Sequence, residues 1–165
     1  MLTALALALY ALESMLPRPL PWMRLGLSNT LVLTVLLVYG FKYAFSVSVI
    51  RTLLGSLLLG SFLGPGFVIS ISAGVVSCTV MGIAYFTGRR VLGTVGISVL
   101  GALAHNLTQL TVAYALFIRR PEVFMLIPLF LVLSVGTGVV TGSAAHFLYQ
   151  KLESTAAVAA GQKNA

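Results

Sequence analysis

Arg51 stands in a run that is otherwise apolar, aromatic or small from Lys42 to Gly60. A guanidinium at mid-helix in a bilayer costs at least ~2.5–3.5 kcal/mol, so it must face an internal cavity or a carboxylate. Glu13 is the only acid in the sequence placed at membrane depth. Arg51 therefore reads either as half of a structural pair with Glu13 or as an anion-binding cation. A second polar group lies in Gly101-Ala102-Leu103-Ala104-His105-Asn106-Leu107-Thr108-Gln109. On a helix His105 and Gln109 share one face, in line with Gly101, and Asn106 sits one residue round. These side chains do not face lipid; they either bond between helices, at ~0.6 kcal/mol per contact on average, or hold a ligand. A third group lies in residues 16–29, where Arg18, Arg24 and Asn29 flank Pro17, Pro19 and Pro21. The prolines forbid helix there. The stretch reads as a stiff cap with a cationic rim, or as simple topology charges. His146 stands alone and reads as structural.

Other chemistries are excluded by what is missing. There is no G-x-x-x-x-G-K-[ST], so no P-loop hydrolysis of ATP. There is no Cys/His cluster for zinc or iron. The acids are Glu13, Glu122 and Glu153, with no Asp, so no carboxylate cluster can hold Mg²⁺ and a diphosphate. No catalytic residue and no cofactor is expected. Cys78 is the single cysteine, which rules out an internal disulfide, and reads as a small packing residue. The net charge of +7 comes from basic residues placed singly or in pairs between apolar runs. That pattern suits headgroups and topology, and it lacks the groove with interleaved aromatics that nucleic acid needs.

The elements that would position these side chains follow from composition. Of 165 residues, 59% are hydrophobic and 8% charged, with mean hydropathy +1.06. Soluble domains carry about a quarter charged residues, so this chain is read as an all-α integral membrane protein. Spans need ~20 residues each, and the pattern predicts a single domain, residues 1–150, of six transmembrane helices. They fall at 2–16, 25–39, 41–59, 67–87, 91–118 and 123–149, followed by a small, polar, frayed tail at 151–165. The first segment lacks a signal peptide's basic start and cleavage site, and reads as a retained helix. Its length of ~22 Å falls short of the ~30 Å hydrocarbon core, so either it is tucked inside the bundle or the true start lies upstream. No convincing internal repeat points to an inverted-repeat transporter.

Small residues at spacing four mark helix-packing ridges: Ser48, Thr52, Ser56 and Gly60; Ser70, Gly74, Cys78 and Gly82; Ser134, Gly138 and Gly142; and Ala4 with Ala8. They read as the seams of a compact bundle, with Ala4 and Ala8 the candidate for docking a partner membrane protein. Six spans put both termini on one side. If that side is cytoplasmic, Lys42, Arg89, Arg90, Lys151 and Lys163 lie inside and Arg18, Arg24, Arg119 and Arg120 outside, a slim positive-inside margin.

Ala11-Leu12-Glu13-Ser14-Met15-Leu16-Pro17-Arg18-Pro19 with Arg24-Leu25-Gly26-Leu27-Ser28-Asn29, and Leu100 to Leu110, resemble two signatures of the Gx transporter family, also called heptaprenyl diphosphate synthase component I. The likeness spans about residues 1–150. The name implies a prenyl-chain enzyme, which the shortage of carboxylates contradicts. The family also resembles the six-helix substrate-binding S components of energy-coupling factor transporters. That resemblance implies a vitamin-sized ligand held near the outer face, a cap between the first two helices, a membrane coupling subunit docked on first-helix small residues, and separate ATPase subunits. On this reading Glu13, Arg24, Asn29, Arg51, His105, Asn106 and Gln109 bind a small polar or anionic metabolite. The competing readings are a non-catalytic accessory subunit of an isoprenoid, quinone-linked or redox system, and a structural membrane scaffold.

Overall fold

The computed structural model describes residues 26–163 and Ala8. The rest of the first predicted helix, with Ala4 and Glu13, lies outside the described residues, as does the connection up to residue 25 with Arg18 and Arg24. Ala8 is helical and exposed.

Among the described residues the fold is all-helical. Helix α1 is Asn29–Tyr39 and α2 is Phe41–Leu58. Next come α3, Pro65–Gly88, and α4, Val91–Ile118. A short 3₁₀ turn, Pro121–Leu126, leads into α5, Ile127–Lys163. Four of these segments are long and apolar enough to cross a membrane, and α1 is shorter. The last five expected segments thus appear as helices, while the expected six-span bundle is observed only as far as these five. Helix α5 continues to Lys163, past residue 149 where the sequence pattern ends the sixth segment.

Each boundary has a local cause. Gly40, at φ 88°, turns the chain between α1 and α2, and its N–H donates to the Leu36 carbonyl at 3.1 Å. Pro65 opens α3, where its missing N–H costs nothing. Gly93, in the first turn of α4, is the one residue with non-helical backbone in the stretch Pro65–Ala113 and marks the kink between α3 and α4. The last turn of α4 widens to π geometry over Tyr114–Ile118 and stops at Arg119 in the left-handed region (φ 53°). Pro121 then starts the turn into α5.

Helix α1 is the axis of the bundle. Leu31, Val32, Leu33 and Leu36 are wholly buried, as expected of a helix that is apolar all round. Val32, Leu33 and Leu36 pack with Ala44 of α2, Cys78, Met81 and Ala84 of α3, Ile97 of α4 and Ala145 of α5. A second, smaller apolar cluster joins Leu110 of α4 to Phe130 of α5 at the opposite end.

The small-residue ridges are where helices approach. Ser48 of α2 donates to the Gly74 carbonyl of α3 at 3.3 Å, and a Cβ on Gly74 would sit 3.2 Å from that hydroxyl. A Cβ on Gly82 would lie 2.5 Å from the Phe41 ring. Gly138 and Gly142 of α5 lie against the backbone of α4, where added Cβ atoms would stand 2.6 Å from Val99 Cα and 2.8 Å from Val95 Cα. Ser98 and Thr141 share a 2.7 Å hydrogen bond across the same seam. Close backbone approach is how helices gain contact where lipid offers no hydrophobic drive.

Candidate functional site

A buried polar cluster lies where four helices meet, beside the main apolar core. Its geometry begins with the α1–α2 hairpin. Asn29 and Arg51 are equally far in sequence from Gly40, so the antiparallel helices bring them level. Arg51 Nη2 donates to Asn29 Oδ1 at 2.6 Å, and both residues are buried. Asn29 turns its amide the other way, with Nδ2 3.4 Å from Ser77 Oγ on α3. Ser77 in turn donates to the Gly101 carbonyl on α4 at 2.8 Å. Arginine, asparagine, serine and a backbone carbonyl thus form one chain across α2, α1, α3 and α4.

His105 belongs to the same cluster. It stands one turn beyond Gly101 on α4 and is 5% exposed. A Cβ built on Gly26 would lie 3.2 Å from Asn29 Nδ2 and 3.5 Å from His105 Cδ2. The imidazole and the Asn29 amide therefore flank one glycine. Gly26 has φ +78°, a left-handed conformation that side-chain-bearing residues rarely adopt. The chain can pass between the two groups because this residue has no side chain. Asn29 N–H donates back to the Gly26 carbonyl at 2.9 Å, which anchors the start of α1 inside the bundle.

Gln109, fully buried, follows His105 on the same face of α4. Asn106 turns to α5, where its Nδ2 donates to Ser134 Oγ at 2.8 Å, and Ser134 donates onward to the Phe130 carbonyl at 2.5 Å. Of the expected binding residues, Asn29, Arg51 and His105 are brought together and Gln109 extends their face. Asn106 lies on the α4–α5 seam, and Glu13 and Arg24 are outside the described residues. His146 is exposed, with its Nε2 3.0 Å from Gln150 one turn on.

Ser77, Gly26 and the Gly101 carbonyl belong to the cluster but were not expected as site groups. Ser77 adjoins Cys78 of the α3 ridge, and its only sequence signal was a hydroxyl at membrane depth. Most other buried hydroxyls bond within their own helix: Thr34 to the Thr30 carbonyl at 2.8 Å and Thr52 to the Ser48 carbonyl at 2.9 Å. Such back-bonding satisfies the group locally. Ser77, like Ser48 and Ser98, bonds across helices instead.

Among the described residues the cluster has one formal charge, that of Arg51. Glu122 and Glu153, the only acids among the described residues, are both exposed at bundle ends. No group of three or more His, Cys, Asp or Glu gathers among the described residues. Among the described residues the cluster brings together a guanidinium, an amide, a hydroxyl and an imidazole.

No curated protein and no solved structure matches the chain. Residues 2–148, however, match the family described as heptaprenyl diphosphate synthase component I, and by this match over most of its length the chain belongs to that family.

Proposed function

We propose that the chain is the substrate-binding membrane subunit of an energy-coupling-factor-type transporter, and that it captures a small polar or anionic metabolite at the Arg51 cluster. The observation that carries this reading is the convergence of Arg51, Asn29, Ser77 and His105 from four helices at membrane depth. A buried ionisable side chain in a membrane protein points to a substrate or ion path by default. Arg51 would offset negative charge, while Asn29, His105 and Gln109 would fix orientation. Arg24 and the proline-rich connection would close over the ligand. The chain itself performs no covalent chemistry.

Energy would come from partners. The family's description as a component implies a protein partner. On this reading the partners are a membrane coupling subunit, docked at Ala4 and Ala8, and its ATPase subunits. Alternating helix directions put Lys42, Arg89, Arg90, Lys151 and Lys163 toward one end of the bundle and Arg119 and Arg120 toward the other. The positive-inside rule then makes the Gly40 end cytoplasmic in a multi-pass cell-membrane protein.

The test is mass spectrometry of small molecules that co-purify with the protein in mild detergent, followed by titration of the identified compound. Arg51→Ala should weaken its binding by about tenfold or more, the loss of one charge-assisted contact. Equal affinity in wild type and variant, or co-purification with a prenyl synthase and no bound solute, would sink the reading.

A further inference from the structure

The two halves of the bundle, divided at the Arg51 cluster, differ in chemistry. The main apolar core lies on the Gly40 side: Val32 follows Asn29 on α1, Ala44 precedes Arg51 on α2, Cys78 follows Ser77 on α3 and Ile97 precedes Gly101 on α4. Helix α1 belongs to this half, since its 11 residues run about 16 Å from Asn29 toward Gly40. On the Leu63 side the buried faces are polar: Thr52 and Ser56 on α2, Ser70 on α3 and Gln109 on α4. The apolar cluster there, around Leu110 and Phe130, joins α4 to α5 and the turn between them.

Within the polar half Ser70 stands apart. It lies two turns before Ser77 on the same face of α3, about 10 Å toward Leu63, and is 4% exposed. A helical serine or threonine commonly returns its hydroxyl to a carbonyl one turn back, as Thr52 does to Ser48 and Thr79 to Val75. Ser70 Oγ makes no such bond and has no hydrogen-bond partner among the described residues. A buried hydroxyl without a partner costs free energy. The contact of Ser48 with the Gly74 carbonyl fixes what stands opposite it. One turn on from Ser48 and one turn back from Gly74, the antiparallel helices bring Thr52 level with Ser70, and Arg51 leaves α2 one residue away. A hydroxyl hydrogen buried at the level from which the guanidinium departs suits a group that accepts from both.

We propose that Ser70 is a further contact of the Arg51 site, donating its hydroxyl to an oxygen of an anionic solute that occupies the polar half, while the apolar core closes the Gly40 half. The inference rests on the reading of the Arg51 cluster as a solute site. It separates two serines on one face of α3: Ser77 spends its hydroxyl on the Gly101 carbonyl and holds helices together, whereas Ser70 serves the solute.

The experiment uses the full chain in detergent and two thiol reagents of opposite charge, anionic sulfonatoethyl methanethiosulfonate and its cationic trimethylammonioethyl analogue. Each rate is divided by the rate with free cysteine, and wild type, with Cys78 1% exposed, is the background. Ser70→Cys should react about tenfold or more faster with the anionic reagent, as a fixed positive charge concentrates anions. Adding Arg51→Gln should abolish that bias. Ala44→Cys, wholly buried in the apolar half, should react with neither reagent until the protein is denatured. Ser70→Ala should melt with wild type, because its hydroxyl bonds to nothing in the fold, whereas Ser77→Ala should melt lower. An unreactive Ser70→Cys, a bias that survives Arg51→Gln, or equal melting losses in the two alanine variants would each overturn the proposal, and reaction at Ala44→Cys would overturn the closed half. An unreactive Ser70→Cys beside a co-purified solute that Arg51→Ala loses would sink this contact and leave the Arg51 reading standing. The charge bias without any bound solute would sink that reading and leave an anion-accessible polar half.

Discussion

Arg51 Nη2 and Asn29 Oδ1 lie 2.6 Å apart at the same level of the α1–α2 hairpin, and the neutral amide accepts from the buried guanidinium without cancelling its charge. A carboxylate at position 29 would have neutralised it. The pairing fixes where the guanidinium points.

Asn29→Leu removes this acceptor from the Arg51 guanidinium. Hydrogen bonds to charged groups contribute about 1.5–3 kcal/mol, so the variant should lose stability in that range by denaturant titration in detergent. Asn29→Asp keeps an acceptor and adds a compensating charge. It should hold wild-type stability but bind an anionic ligand about tenfold or more weakly, because a carboxylate beside Arg51 would repel it. Equal stability in the leucine and aspartate variants would mean that this bond does not hold Arg51.

Gly26 separates the Asn29 amide from the His105 ring. Gly26→Ala meets two obstacles: the left-handed backbone, at about 1–2 kcal/mol, and a Cβ 3.2 Å from Asn29 Nδ2. Gly60→Ala meets only the first, since its φ is +64° and nothing lies within 4 Å. Both should lower the melting temperature. Ligand affinity should fall in Gly26→Ala and stay at wild type in Gly60→Ala. An equal effect on affinity would detach Gly26 from the site.

The sequence made the charged centre and the seams visible for definite reasons. Arg51 and His105 stand out because ionisable side chains are costly in apolar runs. The Ser134–Gly138–Gly142 ridge stands out because spacing four keeps small residues on one helix face. Which helix meets which face was not legible. Asn106 and His105 are adjacent in sequence, yet α5 takes Asn106 while the Gly26–Asn29 segment takes His105. Ser77 was hidden for the same reason: its partners Asn29 and Gly101 come from helices distant in sequence. The extent of α1 also depended on packing. Gly26 and the turn after it place the helix start inside the bundle, whereas periodicity alone began the segment at residue 25.

Two glycines on α5 separate close packing from mere composition. A Cβ at Gly138 would stand 2.6 Å from Val99 Cα, and backbone cannot swing aside as a side chain can. Gly138→Ala should therefore push α5 from α4 and cost about 1–3 kcal/mol, the usual range for overpacking. Gly136 has nothing within 4 Å of its Cβ position. Gly136→Ala should be neutral or slightly stabilising, because alanine favours helix by up to about 1 kcal/mol over glycine. Thermal unfolding of both variants in one detergent decides the matter; matching losses would mean that the α4–α5 seam is looser than described.

The orientation can be read with cysteine chemistry. Cys78 is 1% exposed in the apolar core, so a maleimide should label it after denaturation in dodecyl sulfate and not in the folded protein. That silence makes the wild-type thiol a clean background for introduced ones. Leu63, 74% exposed in the turn between α2 and α3, and Tyr43, 64% exposed near the start of α2, lie toward opposite ends of the bundle. With the Gly40 end in the cytoplasm, Leu63→Cys should react with a membrane-impermeant maleimide added to intact cells. Tyr43→Cys should react only after the cells are opened. The reverse pattern would invert the protein in the membrane and place Arg89 and Arg90 against the outer leaflet.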